Sequence, residues 1–317
     1  MDILWIILLI IAIIIVLVGI LLLGTYITYL MVFYAPKRIK DTAYSMPQGE
    51  QYEKRREGIA KSINEMLARP FEPVTIISHD GKKLYARYYH VADNAPVQIQ
   101  FHGYKSSALL DFCGGSKLAG KIGHNALVVD QRSHGKSEGK AITFGIEERK
   151  DCMAWINYVR SRFGNDVKII LFGLSMGAAT VLMSADLHLP DNVVGIIADC
   201  PFSVPKDIIK KVARDLYLPA TILYPFIKLA ARLFAHFDLE ESSAITAVSK
   251  TNLPILLIHG EADNFVPCDM SREIHAVAAS HSSLITIPDA GHGLCYMVAP
   301  EKYEEAVIEF LNKVLNM

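Results

Sequence analysis

The pentapeptide Gly173-Leu174-Ser175-Met176-Gly177 constrains this chain more than any other stretch. It follows the apolar run Ile169-Ile170-Leu171-Phe172 and precedes the small residues Ala178-Ala179-Thr180, which open a helical pattern. A serine flanked by glycines at such a junction predicts a sharp strand-to-helix turn. The turn holds the serine in strained backbone geometry, so its neighbours must be small. The helix behind it offers backbone N–H groups to a developing negative charge.

Around this turn, short apolar runs alternate with helix-length segments. The runs are 97–101, 126–129, 168–172, 193–198, 255–258 and 284–287, and segments 146–163 and 176–187 show helical periodicity. Continuous apolar strands alternating with helices predict an α/β fold with a mostly parallel central sheet covered on both faces. Two further strands, 74–78 and 83–90, flank the turn His79-Asp80-Gly81. Segment 203–250 breaks the rhythm with Tyr217, Tyr224, Phe226, Phe234, Phe237 and several prolines, and it reads as a small helical cap.

The start of the chain differs from the rest. Residues 3–23 carry no charge, and the apolar character continues to Tyr34. About 20 such residues cross a bilayer core. A signal peptide would need a basic start, a shorter apolar stretch and a small-residue cleavage site, whereas the only early charge is Asp2. Residues 1–34 are therefore expected to be an uncleaved transmembrane anchor. Lys37, Arg38 and Lys40 follow it closely and Lys54, Arg55 and Arg56 lie further on, which places the body on the cytoplasmic side. Tyr26, Tyr29 and Tyr34 suit either an interfacial belt or packing on the body. Residues 35–70 are expected to form an amphipathic linker helix, with Ile59, Ile63, Met66 and Leu67 at helical spacing after Gln48 and Arg69-Pro70 as its stop. Residues 71–317 form the main domain.

Serine is a weak nucleophile until a base takes its proton. His292, in Asp289-Ala290-Gly291-His292-Gly293 after the last run, can reach the top of the sheet. His79 and His90 come too early, and His275 and His281 lie on or beside a helix as surface groups. Asp263, just beyond run 255–258, is the candidate to orient the imidazole, with Glu261 and Asp199 as rivals. An oxyanion hole needs two donors, taken here as the backbone N–H groups of Met176 and Tyr104. His102 reads as a structural loop residue.

Together these residues resemble the α/β-hydrolase superfamily, and within it bacterial membrane-anchored hydrolases and the Bem46-like proteins. The resemblance runs from about residue 70 onward and includes His102-Gly103, the segment from Asp130 to Ser137, the Ser175 turn, Asp263-Asn264-Phe265-Val266-Pro267 and Gly291-His292. Ser133 stands where glycine is common in the pattern. The resemblance implies an α/β-hydrolase fold and a serine hydrolase with Ser175, His292 and Asp263 as its triad. A carboxylic ester is the expected substrate, with a peptidase, a thioesterase or a non-catalytic tethered module as alternatives. The expected partners are a small-molecule or lipid-like acyl substrate and the bilayer. Lys+Arg of 32 against Asp+Glu of 33 gives no electrostatic reason for nucleic acid. Five cysteines without a C-x-x-C spacing point to no zinc site, and no phosphate-loop, dinucleotide or His-Glu-x-x-His pattern points to a cofactor.

Overall fold

The structure is a computed structural model and describes residues 3–35 and 49–316. Its eight strands are β1 (Glu72–Ile77), β2 (Lys83–Tyr89), β3 (Val97–Phe101), β4 (Asn125–Asp130), β5 (Ile169–Leu174), β6 (Val193–Asp199), β7 (Ile255–Gly260) and β8 (Ser282–Ile287). They form one sheet in the order β1-β2-β4-β3-β5-β6-β7-β8. The pairs involving β2 are antiparallel, and every pairing from β4 to β8 is parallel.

Alternation along the buried strands sends side chains to two cores. Leu127, Leu171, Ile196 and Leu257 meet helices Glu148–Phe163, Met176–Ser184 and Cys268–Val277 on one face. Val128, Ile170, Ile197 and Ile258 meet helices Arg56–Ala68, Ala108–Lys121 and Pro300–Leu315 on the other. The chain leaves β3 for β4 on one side, and β5 pairs with β3 on the other. Loops at the carboxyl ends of β3 and β5 therefore diverge, and this switch point is where an open α/β sheet places a ligand crevice.

Segment 49–68 forms two helices, Glu50–Glu53 and Arg56–Ala68, broken at Lys54 and Arg55. Ile59, Ile63 and Met66 are buried as their spacing predicts, while Leu67 faces outward. Gln48 and the cluster Lys37, Arg38 and Lys40 lie outside the described residues. Between β6 and β7 the chain forms helices Pro205–Asp215, Ala220–Ala230 and Ala244–Val248, with a π-helical turn at Ala231–Ala235.

The N-terminal helix, Ile3–Val32, is long and apolar enough to cross a membrane. Its last turns, however, dock on the body. Tyr29 is buried and its ring lies 5.9 Å from that of Phe234. Phe33 is fully buried between Phe144 and Phe237, at ring distances of 5.9 and 5.4 Å. Burying such a ring contributes about 2 kcal/mol. Ala35 N–H donates to the Lys140 carbonyl and Ile142 N–H to the Phe33 carbonyl, which ties the end of the helix to segment 140–142.

Candidate active site

Ser175 has φ 56° and ψ −117°, a conformation that costs on the order of 1–3 kcal/mol and is held by its surroundings. A Cβ on Gly173 would lie 2.2 Å from the Gly177 carbonyl oxygen, and one on Gly177 would lie 1.8 Å from that of Phe101. The glycines are thus required by close backbone approach, as the pentapeptide predicts.

The structure brings the three candidate side chains together. Ser175 Oγ lies 2.8 Å from His292 Nε2, and His292 Nδ1 lies 2.7 Å from Asp263 Oδ2. The carboxylate can only accept, so Nδ1 carries the proton and Nε2 is free to take one from the serine. Asp263 Oδ1 accepts the N–H groups of Phe265 and Val266, at 2.9 and 2.8 Å. Burial pulls the Asp263 pKa up, yet hydrogen bonds and charge from His259 and His292 outweigh it and hold the carboxyl below its ordinary range.

The rivals are placed elsewhere. Glu261 accepts the Thr286 hydroxyl at 2.6 Å in an exposed position. Asp199 is buried at the end of β6, with Oδ2 accepting from Tyr303 at 3.0 Å and Oδ1 without a partner. Burial pushes its pKa up to about 6. Because the folded value exceeds the unfolded one, the native state binds this proton more tightly, and the cost of ionising Asp199 appears as pH rises through this range. An Asp199→Asn variant is expected to be more stable than the parent by on the order of 1–3 kcal/mol at pH 7. The advantage should vanish as pH falls towards 4, measured by urea midpoints across that range.

Tyr104 and Met176 sit where the ends of β3 and β5 diverge, and among the described residues neither N–H has a backbone acceptor. Four hydrogen bonds hold the Tyr104 loop. Asp111, half-buried in the first turn of helix Ala108–Lys121, accepts Gly103 N–H at 2.6 Å and the Ser106 hydroxyl at 2.5 Å. Lys105 N–H donates to His134 Nε2 at 3.1 Å, and the Tyr104 hydroxyl donates to the Val32 carbonyl at 2.8 Å. His134 gives the segment from Asp130 to Ser137 a positioning contact. His102 is fully buried, its Nε2 accepting Gln131 N–H at 3.1 Å, and burial lowers its pKa to about 4. A neutral imidazole in that position ties the loop after β3 to Gln131.

Ser133 keeps the turn by adopting φ 66°, and its hydroxyl donates to the Ala141 carbonyl at 2.7 Å. His275 and His281 are half-buried rather than surface groups. Nδ1 of His275 bonds Ser282 at 2.8 Å, and Nε2 of His281 is buried without a partner.

Residues that the sequence analysis does not single out complete the site. Tyr52, from the short helix before the sheet, donates its hydroxyl to the His292 carbonyl at 2.7 Å. His259 donates to the Val266 carbonyl at 2.9 Å and stands 3.3 Å from Asp263 Oδ2. Asp111 carried a faint signal, an acidic residue in the first turn after the N-cap Ser107.

A hydroxyl, an imidazole and a carboxylate in series, beside N–H groups at a helix start, can activate an oxygen nucleophile and stabilise an oxyanion. This fold and site define an α/β hydrolase. The model of the alpha/beta hydrolase family matches residues 101–306, and the chain belongs to that family. Among curated proteins it is similar to the YqkD protein of Bacillus subtilis, at 27% identity over 71% of this chain and 75% of that one. It is 28% identical to the YfhR protein of Escherichia coli over 61% of this chain, a match that spans 62% of that protein. Among solved structures it is similar to an esterase of Pyrococcus furiosus, with TM-score 0.64 and 25% identity over 79% of this chain and 93% of that one.

Proposed function

We propose that this protein is a membrane-anchored serine hydrolase that cleaves a carboxylic ester through an acyl-enzyme. The observation that carries the reading is the unbroken relay from Ser175 through His292 to Asp263, at 2.8 and 2.7 Å. Ser175 Oγ attacks the carbonyl carbon as its proton passes to His292 Nε2. The Met176 and Tyr104 N–H groups receive the oxyanion. The bond to the leaving oxygen then breaks, and His292 returns the proton to that oxygen. Water, deprotonated by His292, attacks the acyl-Ser175 ester and releases the acid, restoring the serine hydroxyl. Likeness to the Pyrococcus esterase favours an ester. The apolar helix Ile3–Val32 supports anchoring, and the basic residues after it favour a cytoplasmic body.

The test uses the full chain in detergent with a fluorophosphonate and with p-nitrophenyl esters beside aminoacyl p-nitroanilides. A phosphonyl adduct on the Ser175 peptide together with ester turnover is the expected result. Turnover of anilides alone would make the protein a peptidase. An unmodified Ser175 with both substrates intact would make it a non-catalytic module.

A further inference from the structure

Two cavities meet at Ser175. One, of about 380 Å³, has Tyr52, Asp111 and His292 in its wall beside apolar side chains such as Leu110, Phe112 and Met297. The other, of about 400 Å³, is walled mainly by apolar side chains such as Ile208, Val212, Leu223 and Ile227, and His292 is absent from its lining. Acyl transfer tells them apart. The leaving oxygen must receive a proton from His292 Nε2, so the leaving group occupies the cavity that contains this imidazole. The acyl chain then occupies the other.

The N-terminal helix forms part of that second cavity, through Thr28, Met31 and Val32. Helix Ala220–Ala230 packs beside it. The Val32 carbonyl, one of those left unpaired at a helix end, is the acceptor for the Tyr104 hydroxyl. Met31, Leu216 and Leu218 line the cavity yet are 64%, 62% and 41% exposed, so they form an apolar rim. Tyr217 and Ile222, 98% and 66% exposed, extend this apolar surface. An opening with such a rim, at the end of a helix whose residues 3–24 are exposed and uncharged, faces hydrocarbon more favourably than water.

We propose that the second cavity is an acyl-chain pocket walled in part by the N-terminal helix, and that its substrate is a long-chain lipid ester drawn from the bilayer which that helix crosses. The proposal rests on the reading of Ser175 as nucleophile and of the helix as a membrane span. The chain slides from lipid past Met31 and Leu218 to Ser175, while the leaving group of the ester lies towards His292.

The test reconstitutes the full chain in phosphatidylcholine vesicles and compares p-nitrophenyl acetate, octanoate and palmitate. Val32→Trp fills the pocket from the helix side and should lower the octanoate-to-acetate ratio of kcat/KM at least about tenfold. Val32→Ala should raise the palmitate-to-octanoate ratio. Leu17→Trp, far out on the same helix, should leave both ratios within about twofold. Equal loss on all three esters in Val32→Trp, or ratios unmoved by both Val32 variants, would overturn the proposal while leaving the esterase reading intact. An unlabelled Ser175 and no ester turnover in the parent would overturn both.

Discussion

An Asp263→Asn variant is expected to fold normally and to lose about 10⁴-fold in kcat. The two backbone donors at Phe265 and Val266 decide this outcome, because both address Oδ1. An asparagine there must keep its oxygen towards them and turn its NH₂ towards His292. Nδ1 would then accept rather than donate, and the ring proton would move to Nε2, where it opposes the Ser175 hydroxyl. The imidazole would stay in place with the wrong tautomer. Thermal unfolding should change little beside the loss of turnover. A loss below about tenfold would remove Asp263 from the mechanism.

Gly177→Ala is the second large effect, and it acts on the fold. The added methyl would sit 1.8 Å from the Phe101 carbonyl oxygen and 2.7 Å from that of His102. Both are backbone atoms at the end of β3, so no rotamer change relieves the clash. Either the Met176–Ser184 helix leaves the sheet or the Tyr104 loop is displaced. The expected cost is about 4 kcal/mol or more, read as a fall in urea midpoint or as loss of soluble protein. Gly58→Ala is the matched control, since nothing lies within 4 Å of a Cβ on Gly58. Within helix Arg56–Ala68 it should stabilise by about 0.5–1 kcal/mol.

The parts of this fold written in local pattern are visible in the chain itself. Strand β3 matches run 97–101 residue for residue, because a central strand buried on both faces has no polar position to blur it. Strand ends are less visible. Asp130, Asp199 and His259 extend β4, β6 and β7 as polar residues whose place in the ladder depends on the neighbouring strand. Strand order and the crossing of β4 over β3 follow from packing that no single run encodes. At the site, Ser175, His292 and Asp263 announce themselves because each needs a turn with its own signature. Tyr52 and Asp111 do not, since they act on backbone groups of other loops and resemble any other tyrosine or aspartate. Tyr29 and Phe33 show the same limit. An aromatic at the end of an apolar helix fits a membrane interface and a protein pocket equally well, and here docking on Phe234, Phe144 and Phe237 buries both residues.

The bond from Tyr52 to the His292 carbonyl joins residues 240 positions apart. During synthesis the N-terminal helix and Tyr52 leave the ribosome early, whereas the loop that carries His292 is among the last parts made. At about 5–20 residues per second the interval is on the order of ten to fifty seconds. Ser175 is made about midway through this interval, and its turn then waits without an imidazole beside it until the loop of His292 emerges. The contacts of His292 with Ser175 and of its carbonyl with Tyr52 therefore both form only once the C-terminal segment closes over the sheet.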